Sequence, residues 1–270
     1  MPLGCGSNYY DLSEYNWPVY PELHFGPLTL QTFGLMFALA FLVSGWVVAK
    51  RLGEYGWPGE WAYELVLAGA VGGLFGAKLW FSVQQGEWSL GQIFSGTGLV
   101  WYGGALGGAA TVALYSKWRG ILNMRMLDAA APALAIGYAV GRIGCQISGD
   151  GDYGKPSHAW WAMGYPHGTV PTPPGVTVYP TPIIETVVMA LFALFLWRQR
   201  DRWRPGVLFA IYLIGAGIER FAIEFIRRND DAFAGLTVAQ LTSVALAAAG
   251  AGLLTWLVSQ RARPVPVPGG

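Results

Sequence analysis

Seven mostly apolar stretches, each close to 20 residues long, recur along this chain at about 28–49, 61–84, 97–115, 127–147, 181–199, 206–226 and 237–258. A run of about 20 apolar residues crosses a bilayer as a helix, because lipid offers nothing else for the backbone polar groups to pair with. Composition agrees: of 270 residues, 53% are hydrophobic and 12% charged, against roughly 25% charged in soluble domains. The expectation is an all-α integral membrane protein with seven transmembrane helices. The first stretch is too long and too late for a cleavable signal peptide, and residues 1–27 lack the basic start and apolar core of one.

Loop charges set the orientation. With the N-terminus outside, the inward loops hold Lys50, Arg51, Lys117, Arg119, Arg125, Arg198, Arg200, Arg202, Arg204, Arg261 and Arg263, against Lys155, Arg227 and Arg228 outside. The positive-inside rule therefore predicts N-out and C-in. A single membrane-embedded domain, 1–270, is expected. Residues 1–27 are rich in Tyr and Trp and are expected along the outer interface. Residues 148–180 form a long outer loop, ordered by Trp160, Trp161 and Tyr165, and the Pro-rich tail 264–270 is expected to be disordered. Cys5 and Cys145 are the two cysteines, and whether they pair is left open by the sequence.

Three cations sit inside apolar stretches: Lys78, Arg142 and Arg220. A lone cation at mid-bilayer costs from about 3 to over 10 kcal/mol, so each needs a counter-charge, water or an anionic ligand. With N-out topology all three lie toward the outer leaflet. Snorkelling accounts for one such cation; three at one depth point to a shared anionic site. Arg220 and Glu224 are spaced i,i+4 and Glu224 and Arg227 i,i+3, which puts them on one helical face. Phosphate is the natural anion for arginines, which grip it bidentately.

Small-residue pairs mark spans two to four: Gly69/Gly73, Gly72/Gly76, Gly103/Gly107, Gly104/Gly108 and Gly137/Gly141. Their first reading is close helix packing in lipid. The densest local pattern runs from Gly141 through Arg142, Cys145, Gly149, Asp150, Gly151, Asp152 and Tyr153 to Gly154, where span four dissolves into loop. Asp150 and Asp152 alternate like a calcium loop, but the remaining ligand positions are missing, so both are read as a solvated turn. His24, His158 and His167 are scattered and show no ligand spacing; no metal, cofactor or nucleic-acid partner is expected.

The Gly141–Gly154 stretch resembles the signature segment of prolipoprotein diacylglyceryl transferases. Gly26-Pro27 to Gly34, Gly103 to Gly108, and Arg220 through Glu224 to Arg227 agree in order and spacing. This resemblance covers nearly the whole chain. It implies transfer of a diacylglyceryl group from phosphatidylglycerol to the lipobox cysteine of a secreted prolipoprotein, with release of glycerol phosphate, at the bacterial inner membrane. It also implies that Arg142 and Arg220 hold the donor phosphate, helped by Lys78, that Glu224 orients Arg220, and that Gly154 shapes the loop. Five positions depart from the family pattern: Tyr102 where a His is common, Gln31 and Phe33 where His and Tyr are common near the start of span one, Cys145 in place of Asn, and Lys78 in place of Arg. Tyr102, Asp150 or a headgroup oxygen remain candidates to relay the thiol proton, and Cys145 as a covalent nucleophile is a weaker alternative. A diverged phospholipid-binding relative and a small-anion transporter are the competing functional readings.

Overall fold

The computed structural model describes residues 18–86 and 100–260. Among them the chain forms a two-stranded ribbon, β1 (Glu22–Phe25) and β2 (Leu28–Gln31), then seven helices. These are α1 (Thr32–Glu54), α2 (Trp61–Gln85), α3 (Trp101–Trp118), α4 (Met124–Ser148), α5 (Thr181–Gln199), α6 (Val207–Glu224) and α7 (Val238–Ser259). Each matches one apolar stretch to within about five residues.

Five of these helices (α1, α2, α4, α5 and α7) are long and apolar enough to cross a membrane. The other two have 18 residues each: α6 carries Glu219, Arg220 and Glu224, and α3 is diluted by Gly, Tyr, Ser and Lys. Large apolar side chains stand exposed on many helices, Leu67, Phe75, Leu106, Leu114 and Leu191 among them. In water such surface is an aggregation hazard; in a bilayer it is solvated. The protein is a multi-pass membrane protein.

Helix starts follow from local chemistry. Asn123 Oδ1 accepts the backbone N–H groups of Arg125 (2.9 Å) and Met126 (3.2 Å) and so caps α4. Thr237 and Gln240 form a reciprocal capping box at α7: Gln240 N donates to Thr237 Oγ1 and Thr237 N to Gln240 Oε1.

The described residues gather into two compact units. One takes its residues from 1–39, 138–191 and 215–248, the other from 40–137, 192–214 and 249–270. In the second, α2 and α3 cross at backbone distance. A Cβ added at Gly76 would lie 2.3 Å from Gly103 O, and one at Gly107 2.3 Å from Gly72 O. Thr111 Oγ1 donates to Ala68 O across this seam at 2.8 Å. Glycine thus serves close packing at Gly103 as well as in the other pairs of this seam. In the same unit Arg51, on α1, is buried between Glu54, Asp201 and the carbonyl of Arg200. Asp128 receives the N–H groups of Gly206 (2.7 Å) and Phe209 (2.9 Å) and caps α6 from outside its own sequence.

In the first unit, the ribbon pairs Glu22 with Gln31 and turns at Gly26, whose φ of +61° suits glycine. The sequence reading placed residues 1–27 at an interface and gave them no strand. Leu23, Phe25, Leu28 and Leu30 alternate around Gly26-Pro27, and that period-2 pattern is the strand signal. Residues 1–17, the tail 264–270 and Cys5 lie outside the described residues. The loop of residues 149–180 is ordered, as its aromatics suggested. Tyr153 stacks on Tyr165 with ring centroids 5.0 Å apart, and Tyr165 Oη donates to Gln146 Oε1 at 2.9 Å.

Candidate functional site

Tyr138, Arg142 and Cys145 fall on one face of α4 within its last three turns, and the loop folds back over that face. Gly149 makes the reversal: its φ is +57°, and a Cβ there would lie 2.8 Å from Gly168 Cα. The ladder Thr169 N to Ser148 O and Val170 N to Gly149 O (both 2.9 Å) then pins the loop to the helix end. At its far side Gly154 lies against the end of α6. Its N–H donates to Tyr179 O, Lys155 N donates to Ile226 O, and a Cβ on Gly154 would meet Ile226 O at 2.4 Å.

This folding brings together groups from four parts of the chain. The Arg142 guanidinium contacts the Asp152 carboxylate through Nη1, lies 2.5 Å from Glu185 Oε2 through Nε, and donates to Tyr138 Oη at 3.0 Å. Arg227 Nη2 reaches Asp152 Oδ1 at 2.5 Å, and its Nη1 lies 3.6 Å from Glu185 Oε1. Arg220 Nη2 pairs with Glu224 Oε2 at 2.8 Å, while its Nη1 is 3.9 Å from Glu185 Oε1. Glu224 also accepts from Thr237 Oγ1 (2.6 Å) and Asn229 Nδ2 (2.7 Å), so its position is fixed from α7 as well.

Glu185 is the hub, fully buried on α5 and faced by all three arginines. Neither of its oxygens has a hydrogen bond of proper angle, so charge alone holds it. Sequence reasoning missed it. The available signal was a lone carboxylate inside an apolar span, which is as costly as a lone cation. Glu219 on α6 was missed for the same reason.

The turn reading fails for Asp152, whose two oxygens clasp Arg142 and Arg227. Burial pushes its carboxyl up, but the two guanidinium groups outweigh burial and hold it below the usual carboxylate range. Asp150 keeps its turn role, accepting the N–H of Asp152 at 3.1 Å. Burial and then the charge of Asp152 push it up. The Cys145 thiol lies with these two carboxylates inside a 4.8 Å cluster, with Arg142 Nη1 3.7 Å from the sulfur. Cys145 is buried and free.

Of the sequence candidates, Arg142, Arg220, Glu224, Asp150 and Gly154 all belong to the first unit. Lys78, half-buried on α2, and Tyr102, half-buried at the start of α3, belong to the second. Gln31 Nε2 is engaged by Glu22 Oε1 at 2.7 Å, and Phe33 stacks along α1 on Phe37. A cavity of about 270 Å³ opens beside the cluster, lined by Gly151, Asp152, Tyr153, Arg227, Arg228 and Asn229. Arg228 covers its Tyr153 wall at 4.3 Å.

Three arginines, on α4, on α6 and just past its end, gathered with three carboxylates, define a multi-pass membrane protein built around an ionic site. The family model for prolipoprotein diacylglyceryl transferase matches residues 21–256, and the chain belongs to that family. It is 33% identical over 234 residues to the phosphatidylglycerol–prolipoprotein diacylglyceryl transferase of Leptospira interrogans, covering 75% of this chain and 73% of that one. Enzymes of the same name from Clostridium tetani (32% over 215 residues, 78% and 85% covered) and Methylobacillus flagellatus (29% over 251 residues, 86% and 94% covered) are also similar.

Proposed function

We propose that this protein is a phosphatidylglycerol–prolipoprotein diacylglyceryl transferase. It joins the diacylglyceryl group of phosphatidylglycerol to the lipobox cysteine of prolipoproteins at the bacterial inner membrane. Family membership supports the activity. The observation that carries the site is Arg220: one edge of its guanidinium is held by Glu224, while Nη1 is occluded and has no hydrogen-bond acceptor. A buried donor left unmade costs about 1–3 kcal/mol, which an arriving phosphate oxygen would recover. Arg142 and Arg220 share Glu185 as anchor, which keeps the two guanidinium groups in one cluster.

In this reading the thiolate sulfur attacks C3 of the lipid's diacylated glycerol. The new C–S bond forms as the C3–O bond to phosphate breaks, and the electron pair leaves with glycerol phosphate. Arg142 and Arg220 stabilise charge on that leaving oxygen in a low-dielectric setting, where such contacts count most. Glu224 orients Arg220, and Gly154 and Asp150 shape the loop above. Seven spans with the N-terminus outside put this chemistry in the outer leaflet. In this reading the chain is one membrane-embedded transferase domain.

The test is transfer of labelled diacylglycerol from phosphatidylglycerol to a lipobox peptide by purified protein. Wild type should form the thioether product and Arg142→Ala and Arg220→Ala should not. Binding of the lipid without product by wild type would instead make this a diverged relative.

A further inference from the structure

The three guanidinium groups of the site are matched one for one by the carboxylates they contact: Asp152, Glu185 and Glu224. Glu219 is a fourth carboxylate in the same place and is left over. Among the described residues it takes part in none of the cluster's ion pairs, and its Oε1 is occluded with no hydrogen-bond partner. It lies half-buried one residue before Arg220. The groups that face it are Glu185 from α5, Arg142 and Tyr138 from α4, Arg220 on its own helix, and Arg227 beyond.

A surplus carboxylate in such a site has two stable states, ionised or protonated, and nothing in the ion-pair network fixes which. That is the property of a group that exchanges a proton. The sequence candidates for this task are less well placed. Asp150 Oδ1 is already engaged by the N–H of Asp152. Tyr102 belongs to the second compact unit, not to the one that holds the cluster.

We infer that Glu219 is the general base of the transfer, accepting the lipobox thiol proton as the sulfur attacks the lipid. The inference rests on the transferase reading above. The S–H proton passes to the Glu219 carboxylate, the C–S bond forms, and the C3–O bond breaks with its electron pair going to the phosphate oxygen. Protonated Glu219 then releases its proton to the departing phosphate or to water. The order of binding follows from charge. A phosphodiester anion beside three arginines brings the cluster a further negative charge, which raises the proton affinity of the ionised Glu219 carboxylate. Lipid binding thereby strengthens the base, and the proton it takes up is the thiol's.

The experiment compares wild type, Glu219→Gln and Glu219→Asp in phosphatidylglycerol proteoliposomes, with lipobox peptides carrying cysteine or selenocysteine. A selenol is ionised at neutral pH and needs no base. Glu219→Gln should lose transfer to cysteine by about 10²–10⁴-fold, the usual contribution of general-base catalysis, while its KM for the lipid holds. It should recover most of that loss with selenocysteine, and Glu219→Asp should retain part of the cysteine reaction with a displaced acid limb. Equal loss with both peptides would mark Glu219 as structural and overturn the inference, as would an unimpaired Glu219→Gln enzyme. Should Glu219→Gln fail to fold, the pH profile of Glu219→Asp decides: an unmoved acid limb overturns the inference. Absence of transfer by wild type with either peptide would overturn the transferase reading, and the base with it.

Discussion

Glu185 and Asp150 show how differently two carboxylates behave around the same arginine, Arg142. Glu185 faces three guanidinium groups and is fully occluded. Removing one partner of a buried ion pair costs about 3–5 kcal/mol, because the other charge is stranded. Glu185→Gln should therefore lower the melting temperature in detergent markedly and abolish transfer, since Arg142 and Arg220 lose their common anchor. A variant that melts like wild type would show that the arginines find other partners. Asp150 is the opposite case. Burial and the neighbouring Asp152 make the folded protein hold the Asp150 proton more tightly than the unfolded chain does. Stability from this group is thus full below the ordinary carboxylate range, near pH 4, and falls as pH rises through the raised value. Asp150→Asn keeps an acceptor for the Asp152 N–H and removes the charge. It should raise the melting temperature at pH 7 and leave it unchanged below pH 4, as a pair of thermal scans would read.

Helices form where the apolar runs lie, and that link is strong because lipid leaves the backbone no alternative. All seven described helices were legible in the sequence for this reason, and Arg220, Glu224 and Arg227 were legible as a group because helical spacing juxtaposes them. Glu185 was not: its partners Arg142 and Arg227 are 43 and 42 residues away in sequence, and only the packed helices bring them together. Asp152 was misread because its two arginines, Arg142 on α4 and Arg227 just past the end of α6, come from distant parts of the chain. The ribbon was missed because a short, exposed strand pair resembles an interfacial segment in composition. Between elements, the glycine seam of α2 and α3 makes a direct prediction. Gly76→Ala would push a methyl against Gly103 O, a backbone atom without freedom to move. Overpacking of this kind costs about 1–3 kcal/mol or more. Gly141→Ala, with nothing within 4 Å of the added Cβ, should be tolerated in packing. Melting curves of the two variants should differ sharply, and equal curves would mean the helices separate without cost.

At the scale of the whole molecule, the question is which way the chain faces, because a donor phosphate and a secreted cysteine must meet on one side of the membrane. The basic residues bear on this. Arg51, Arg200 and Asp201 gather at one set of helix ends together with Glu54, and Arg119 pairs with Glu64 at 2.5 Å nearby in the same unit. Arg142, Arg220 and Arg227 belong to the other unit and are paired inside it. The first group is the excess that the positive-inside rule assigns to the cytoplasm. Trp160, 86% exposed in the loop after α4, should then be extracytoplasmic, and Trp118, 74% exposed at the end of α3, cytoplasmic. In intact cells a membrane-impermeant maleimide should label Trp160→Cys at once and Trp118→Cys only after permeabilisation, with the unmodified protein as background. Labelling in the reverse order would put the ionic site on the cytoplasmic side. The secreted lipobox would then be unable to reach the arginines, and the transferase reading would fail on topology alone, whatever the chemistry of the cluster.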